Sequence, residues 1–532
     1  MARVSLAVPM DKTALVQRWA RVTARWHRAM ASPRRRWFAR FCVIFGLSAA
    51  WALATPLFAG PDEPAHVVRA AGLSRGDFVA KDLVGSNHQV VDVAERLSHA
   101  QAAADCLKFN PHQNGTCVSF VGSDDLAPVA TTAGRYPPLA YLLGAVALRF
   151  STRSIGVYLA RLATAMMAAA CIATAFGDMD RLGSRLGRAG VAVAATPTVF
   201  FLSGVVNPSA LEIVAALAAW TSGLVLLRDA THGAPTRRSV MRFAIAASVL
   251  VLSRQLAPLW LAVAAVVVVV GYCGRLTARS LWQSGRVRWG AGAVMLAGLF
   301  QLWWILAVWK PKGDETVRLD EARGVITRLS IGHLTAEFRQ MIGVFGWLDT
   351  PSPELTYLLW TVAVGTLVLL GFACSSSRQR WAFGLLMVAV VVLPVLIEVR
   401  QAPEYGLSWQ GRYTLPIAVG VPLLAGVAAE GWWRDRGIST VSLTRVILAC
   451  VGVAHVAAFW QQLRRYTVGA TGPLLFFRSP VWHPPVASGL LLGGYIVGIV
   501  AYLMVTTGVS IGPDEVRAVE VGADGTSIVD FR

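Results

Sequence analysis

The sequence predicts an all-α polytopic membrane protein of about twelve transmembrane helices (eleven to thirteen), with in-plane helices in its first outer loop. Three observations predict it. Only 15% of the 532 residues are charged, where soluble chains carry about 25%. Hydrophobic residues make up 55% of the chain, and the mean hydropathy is +0.54. Several stretches run 17 to 23 residues with few or no charges, long enough to cross an apolar layer of about 30 Å.

The predicted spans lie at 41–59, 155–177, 189–206, 209–228, 240–253, 256–272, 290–309, 355–373, 381–398, 413–430, 444–461 and 486–508. Residues 1–40 hold ten Lys/Arg against one acid, Asp11, and such a flank stays cytoplasmic, which sends the first span outward as an uncleaved anchor. An outer loop, 60–136, follows with six basic and nine acidic residues. The apolar segment 138–150 has only 13 residues, about 20 Å as a helix, short of a crossing. Treating it as in-plane or re-entrant keeps the basic loops 180–188, 228–238 and 275–288 inside and both termini cytoplasmic. The predicted organisation is therefore a basic cytoplasmic segment (1–40), a membrane domain (41–508) and a cytoplasmic tail (509–532). One patch resists this layout, since 462–485 carries Arg464, Arg465 and Arg478 with no acid and falls outside.

Composition also excludes functions. The net charge of +19 reads as loop charge that orients helices, not as nucleic-acid binding. Seven scattered cysteines make neither a disulfide scaffold nor a zinc site. Cys106 and Cys117, however, share the outer loop, where a disulfide between them is expected. No GxxxxGK[ST] motif or nucleophile elbow occurs, and no ligand spacing implies a metal; a divalent cation is compatible with the chain without being required by it. Many tryptophans, Trp309 among them, fall at span ends as interfacial anchors. His455, alone in its span, is expected to pack in the bundle.

With this topology the polar residues that stand out collect on the outer side. Asp62, Glu63 and His66 follow the first span within GPDEPAH. Arg135-Tyr136-Pro137-Pro138 closes the loop. Asn207-Pro208 and Glu212, Ser253-Arg254-Gln255, Gly346-Trp347-Leu348-Asp349-Thr350 and Ser408-Trp409-Gln410-Gly411-Arg412-Tyr413 lie in other outer connections. An Asp-Glu pair after a span is also an ordinary solvated helix start. Flanking prolines, however, hold these carboxylates at a fixed height above the bilayer, as a general base requires. Arg161, two turns inside its span, and Glu212 either snorkel to the interface or face a cavity.

Taken in order, PDEPAH (61–66), RYPPLAYL (135–142), GWLDT (346–350) and QGRYTLP (410–416) resemble the bacterial family of predicted membrane proteins catalogued as domain of unknown function 2142, over about residues 40–510. That family in turn resembles type C glycosyltransferases, which use polyprenyl-phosphate sugars as donors on the outer face. The resemblance implies that an acidic residue just after the first span is the base, placing Asp62 in that role, with Glu63 either sharing it or holding a metal or acceptor. It implies a second acidic residue in the next outer loop, where this chain has Asn207-Pro208-Ser209 and only Glu212 nearby.

The expected function is therefore an inverting, type C-like membrane glycosyltransferase. It would move a sugar from a polyprenyl-phosphate donor to a cell-envelope glycan or lipid acceptor on the outer face of the bacterial cytoplasmic membrane. Arg254, Arg412 and Arg161 are candidates for the donor phosphate, since guanidinium pairs with phosphate oxygens. His66, Tyr136, Glu212, Asp349, Trp409 and Gln410 are candidates for substrate binding. The alternatives are a transporter or lipid flippase, or a non-catalytic scaffold of an envelope-assembly complex.

Overall fold

The computed structural model describes residues 30–83, 88–309 and 321–507. Most of the basic N-terminal segment, Ser86, and the tail 509–532 with its second Pro-Asp-Glu (513–515) lie outside the described residues.

Each predicted span corresponds to a helix or a bent helix pair. Helix α1 (Pro33–Ala54) leads into a loop-borne layer. That layer consists of α2 (Glu63–Ser74), strands β1 (Lys81–Asp82), β2 (Gln89–Ala94) and β3 (Leu126–Thr131), α3 (Ala100–Asp105) and α4 (Leu142–Phe150). The bundle resumes with α5 (Ser154–Leu182), α6 (Arg185–Ala194), α7 (Pro197–Ser203), α8 (Pro208–Thr231), α9 (Arg237–Val251), α10 (Ala257–Tyr272), α11 (Arg275–Gln283) and α12 (Gly285–Trp303). It continues with α13 (Arg323–Gly343), a two-stranded hairpin of β4 (Val344–Phe345) and β5 (Thr350–Pro351), α14 (Glu354–Cys374), α15 (Ser377–Tyr405), α16 (Gly411–Ala418), α17 (Gly420–Arg434), α18 (Val441–Val468) and α19 (Ser488–Thr507).

Among the described residues nine helices are long and apolar enough to cross a membrane, and α6 with α7, bent by 61°, makes a tenth. The two remaining predicted spans are the short helices α9 and α10, of 15 and 16 residues. Helix α4 has nine residues, about 14 Å, and is too short to cross. Local sequence explains where the helices start. Proline stands in the first turn of α1, α2, α7 and α8, where its missing N–H costs nothing. Thr196, Asn207 and Thr236 cap α7, α8 and α9 through their side chains. Helix α8 is buried all round at the centre of the bundle, whereas α12 lies at its edge.

Two features were not foreseen. The first long loop, 60–136, holds an antiparallel sheet in the order β1-β2-β3, which the all-α expectation omits. Helix α13 falls between the predicted spans, because its Arg, His and Glu side chains break the apolar run that marks one. It tucks its C-terminal turn into the bundle, where Thr196 and Thr198 hydroxyls donate to the carbonyls of Met341 and Gln340 at 2.7 and 2.8 Å.

Followed in order, the chain alternates between a loop-bearing end and an end of short basic connections. At the basic end Asp180 accepts from Arg40 (2.7 Å), Arg36 (3.2 Å) and Arg188 (3.2 Å), tying α1 and α6 to α5. At the loop end Arg465 resolves the patch that resisted the layout. It is 1% exposed and donates to the carbonyls of Leu107, Asn110 and Gln113 at 2.8–3.0 Å. Arg464 likewise caps the Gly472 carbonyl. Arg465 is thus a strut for the first long loop, and Arg464 ties down its own connection. His455 packs in the bundle, with Nε2 3.1 Å from the Ala195 carbonyl oxygen.

Candidate active site at the loop end

The chain between α1 and α2 makes a tight descent. Gly60 passes so close to Val205 that a Cβ there would meet its side chain at 2.8 Å. Asp62 then adopts a left-handed conformation, φ 59°, which Asp tolerates better than most residues. Asn207, the cap of α8, donates to the Pro61 carbonyl at 2.8 Å. The outcome is that Asp62 and Glu63 point in different directions.

Glu63 points into the bundle. Arg161 grips both its oxygens, at 2.7 and 2.6 Å, and gives its other hydrogen bonds to the carbonyls of Ala52, Thr55 and Pro56. The Val206 N–H donates to the same carboxylate at 3.0 Å. Both side chains are 0% exposed. Expectations that Glu63 shares the base role and that Arg161 binds phosphate are corrected here: neither has an atom left to offer. The pair fastens α1 and α2 to α5 and to the break before α8.

Asp62 points outward, with 45% of its side chain accessible. Its Oδ2 accepts from Arg412 at 2.5 Å, and Oδ1 has no protein partner among the described residues. Burial pushes the carboxyl up, but the Arg412 guanidinium, with His66 and Arg254 beyond it, outweighs burial and holds the group below the usual carboxylate range. Arg412, in the first turn of α16, and Arg254, in the turn between α9 and α10, flank the Tyr413 ring at 5.0 and 4.7 Å. Glu212 anchors Arg254 at 3.1 Å from α8, and the Ser209 hydroxyl accepts a second bond from it.

Tyr136 completes this cluster, 5.9 Å beneath the Arg254 guanidinium. It is set by Arg69, which donates to its carbonyl at 3.0 Å, and by Trp304, which donates to the Arg135 carbonyl at 2.9 Å. Trp309, expected only as an interfacial anchor, stands edge-on to its ring at 5.2 Å. Behind it His66 shares a 2.9 Å hydrogen bond with the Tyr141 hydroxyl. Burial lowers the imidazole to about 3, so it is neutral at physiological pH.

The structure thus brings Asp62, His66, Tyr136, Glu212, Arg254, Gln410 and Arg412 to one place. Two other candidates do different work. Asp349 lies under the outer loop, 3.4 Å from Arg465. Trp409 is 9% exposed and spends its indole N–H on Thr414 and its backbone N–H on Glu398. It supports Tyr413, 5.6 Å away, and has no face to offer a sugar. Sequence reasoning gave no role to Tyr413, Arg69, Trp304 or Arg465. Tyr413 carries a signal inside the QGRYTLP motif, and Arg465 carries one in the acid-free basic patch 462–485.

Several polar atoms here are buried without a partner among the described residues: Arg412 Nε and Nη1, Arg254 Nε and Gln410 Oε1. An orphaned buried donor costs about 1–3 kcal/mol, and three cationic donors around one ring point to an absent anion. One cavity borders the cluster, and a second lies a turn along α16 from Arg412. One, of about 720 Å³, opens above Asp62 and is walled by α2, β3 and Trp347. The other, of about 250 Å³, is apolar and lies inside the bundle against α13–α16, with Leu415, Met341, Val364 and Val390 in its wall.

The order of these motifs along the chain agrees with one known family, whose sequence profile matches residues 45–421. The chain belongs to the DUF2142 family of predicted membrane proteins. No curated protein matches it. Two solved structures of ArnT from Cupriavidus metallidurans are similar to this DUF2142 protein. The form bound to undecaprenyl phosphate has 14% identity, a TM-score of 0.43, and covers 92% of this chain and 78% of that chain. The apo form has 14% identity and a TM-score of 0.42, covering 86% and 73%. At that distance neither protein's chemistry carries across.

Among the described residues no three His, Cys, Asp or Glu side chains gather as ligands, and the accessible carboxylate faces guanidinium groups instead.

Proposed function

We propose that this protein is a membrane glycosyltransferase that moves a sugar from a polyprenyl-phosphate donor to a cell-envelope acceptor on the outer face of the bacterial cytoplasmic membrane. The observation that carries the reading is the half-accessible Asp62 carboxylate between two arginines with unpaired donors and an open cavity. The other carboxylates of the cluster, Glu63 and Glu212, are buried and each is paired with an arginine, whereas Asp62 keeps an accessible oxygen that can take a proton. The motif resemblance points the same way.

In this reading Arg412 and Arg254 hold the donor phosphate and stabilise its charge as it departs. The apolar cavity beside Leu415 takes the first part of the lipid tail. Asp62 accepts the proton of the attacking acceptor hydroxyl from the opposite side, giving inversion. Arg412 has two tasks. Paired with Asp62 it keeps the carboxylate ionised but weakly basic, and drawn toward phosphate it frees Oδ2 for the acceptor proton. Donor binding and base activation are then one event.

The test is transfer from a labelled polyprenyl-phosphate sugar to isolated envelope glycan in vesicles containing the full chain. Asp62→Asn should abolish transfer and leave donor binding in place. Undiminished transfer by this variant would remove Asp62 as base, and a wild type inert with every donor class would favour the transporter or scaffold. Sidedness is checked by cysteine labelling in intact cells. Asp92→Cys, exposed on β2, should react from outside, and Arg279→Cys, exposed on α11, only after permeabilisation.

A further inference from the structure

The cavity above Asp62 has a feature that proton abstraction does not need. Lys108 lines it, with Nζ 4.6 Å over the Trp347 ring and 5.7 Å from the Phe109 ring. No carboxylate among the described residues pairs with this ammonium. Trp347 lines the same cavity, and its indole N–H is buried without an acceptor among the described residues. Ser98 also lines the wall, while Gln101 and Thr131, beside it, already give hydrogen bonds to Asp105 and to the Ala65 carbonyl. An unpaired cation and an unspent N–H therefore line one chamber whose floor carries the proposed base.

Much of the surrounding structure fixes this corner. The Cys106–Cys117 disulfide closes the turn that bears Lys108. Arg465 holds the carbonyls of Leu107 and Asn110, on either side of it, at 3.0 Å. Trp347 is placed by the β4–β5 hairpin, where Gly346 and Leu348 both take left-handed backbone, φ 63° and 64°. Asp349 of the same hairpin reaches Arg465. One arginine thus joins the Lys108 turn to the Trp347 hairpin. A loop lysine serving only solubility needs none of this.

We propose that this chamber is the acceptor subsite and that it selects an anionic carbohydrate, a sugar unit bearing a carboxylate or phosphate that pairs with Lys108 while a hydroxyl of the same acceptor meets Asp62. The assignment rests on the glycosyltransferase reading for its purpose, but its test is binding without turnover. The two therefore fail separately. The donor phosphate has its own cations in Arg412 and Arg254. Lys108 stands in the chamber wall, where it can discriminate among acceptors.

Saturation-transfer NMR on the detergent-solubilised full chain, with Asp62→Asn as background to exclude turnover, reads this directly. The probes are methyl glucuronide, glucose 6-phosphate, methyl glucoside and inorganic phosphate. Both anionic sugars should bind at least fivefold more tightly than methyl glucoside, and inorganic phosphate should displace them poorly, because it lacks the hydroxyl-bearing ring. Lys108→Met should lower the affinity for both anionic sugars about tenfold, the usual worth of a charge-assisted contact. Lys108→Arg should retain most of it, and Trp347→Phe should weaken all sugars alike. Equal binding of methyl glucoside, indifference to Lys108→Met, or equally strong binding of phosphate alone would each overturn the assignment. Lys108 is half-exposed and makes no ion pair among the described residues, so its variants should fold, as retained donor binding would verify.

Discussion

Asp62 and Glu63 are neighbours in the chain and each meets an arginine, yet the two ion pairs are built in opposite ways. Glu63 and Arg161 use every donor and acceptor on each other and on carbonyls of the descent from α1. Asp62 and Arg412 share one contact and leave a carboxylate oxygen and two guanidinium nitrogens unspent. A saturated pair can only hold the fold together, because any ligand would have to break it. An unsaturated pair can accept a ligand without leaving a charge stranded. Position after a span and closeness to proline are the same for both carboxylates, so what separates them is how much of each is already used.

Exchanging the two residues' fates is the strongest test of that contrast. Asp62→Asn should cost turnover on the order of 10²–10⁴-fold, the range for loss of a general base, with the melting temperature lowered much less than by Glu63→Gln, because Asp62 is half-accessible and shares only one contact with Arg412. Glu63→Gln strands the buried Arg161 charge, and breaking such a pair costs about 3–5 kcal/mol, so thermal scans and detergent extraction yield should both fall sharply. If Glu63→Gln is stable while Asp62→Asn unfolds, the assignment of structural and functional carboxylate is reversed. Arg412→Lys comes next. It keeps the charge but loses the planar fork, and donor affinity, read by titration with polyprenyl phosphate, should drop roughly ten- to a hundredfold at unchanged fold.

A smaller effect is expected where the comparison reaches the outer loop. The Cys106–Cys117 disulfide closes a short turn and stabilises it by about 3 kcal/mol at most. Cys106→Ser with Cys117→Ser should increase proteolysis between Leu107 and Gln113 and leave the bundle's unfolding temperature within a few degrees. A collapse of the whole fold would show that the loop is part of the bundle's cooperative unit.

The sequence made the membrane helices legible because lipid demands long apolar runs, and the same pattern located the loop end where the polar motifs collect. It hid α13, whose exposed Arg323, Arg328 and His333 interrupt the apolar run that marks a span, and it hid the small sheet, whose strands are two to six residues long. Asp62, Arg254 and Arg412 were readable as candidates because each stands at a span end beside proline or within a motif. The division of labour between them was not. Arg161 finds Glu63 from 98 positions away and Arg412 finds Asp62 from 350. Pairings at such separations are decided by which helices touch. Nor could the sequence show Trp409 turning inward, since that depends on Thr414 and Glu398 consuming its donors.

The smallest predicted effect sharpens the comparison through His66, which lies one turn from Asp62 but behaves like neither carboxylate. It is held neutral, because burial outweighs the nearby Asp62 charge and lowers the imidazole to about 3. An unfolded His titrates near 6.5, so between about pH 3 and pH 6.5 the unfolded chain binds a proton that the folded one refuses. Stability should therefore be lost as pH falls below about 6.5, by up to about 1.4 kcal/mol per pH unit. Asp62 contributes in the same sense but lower in pH: its lowered carboxyl favours the fold above its ordinary range, and that contribution is lost only as pH falls through the lowered value. The two effects separate in pH, His66 acting from mildly acidic conditions and Asp62 only near the carboxylate range. His66→Gln, which keeps a partner for the Tyr141 hydroxyl, should flatten the thermal-stability profile between pH 6.5 and pH 5 and leave the steeper acid limb intact. A profile unchanged by that substitution would mean that His66 takes up its proton within the folded protein, placing a third cation beside Asp62 and weakening the view that the site waits for an anion with its arginines alone.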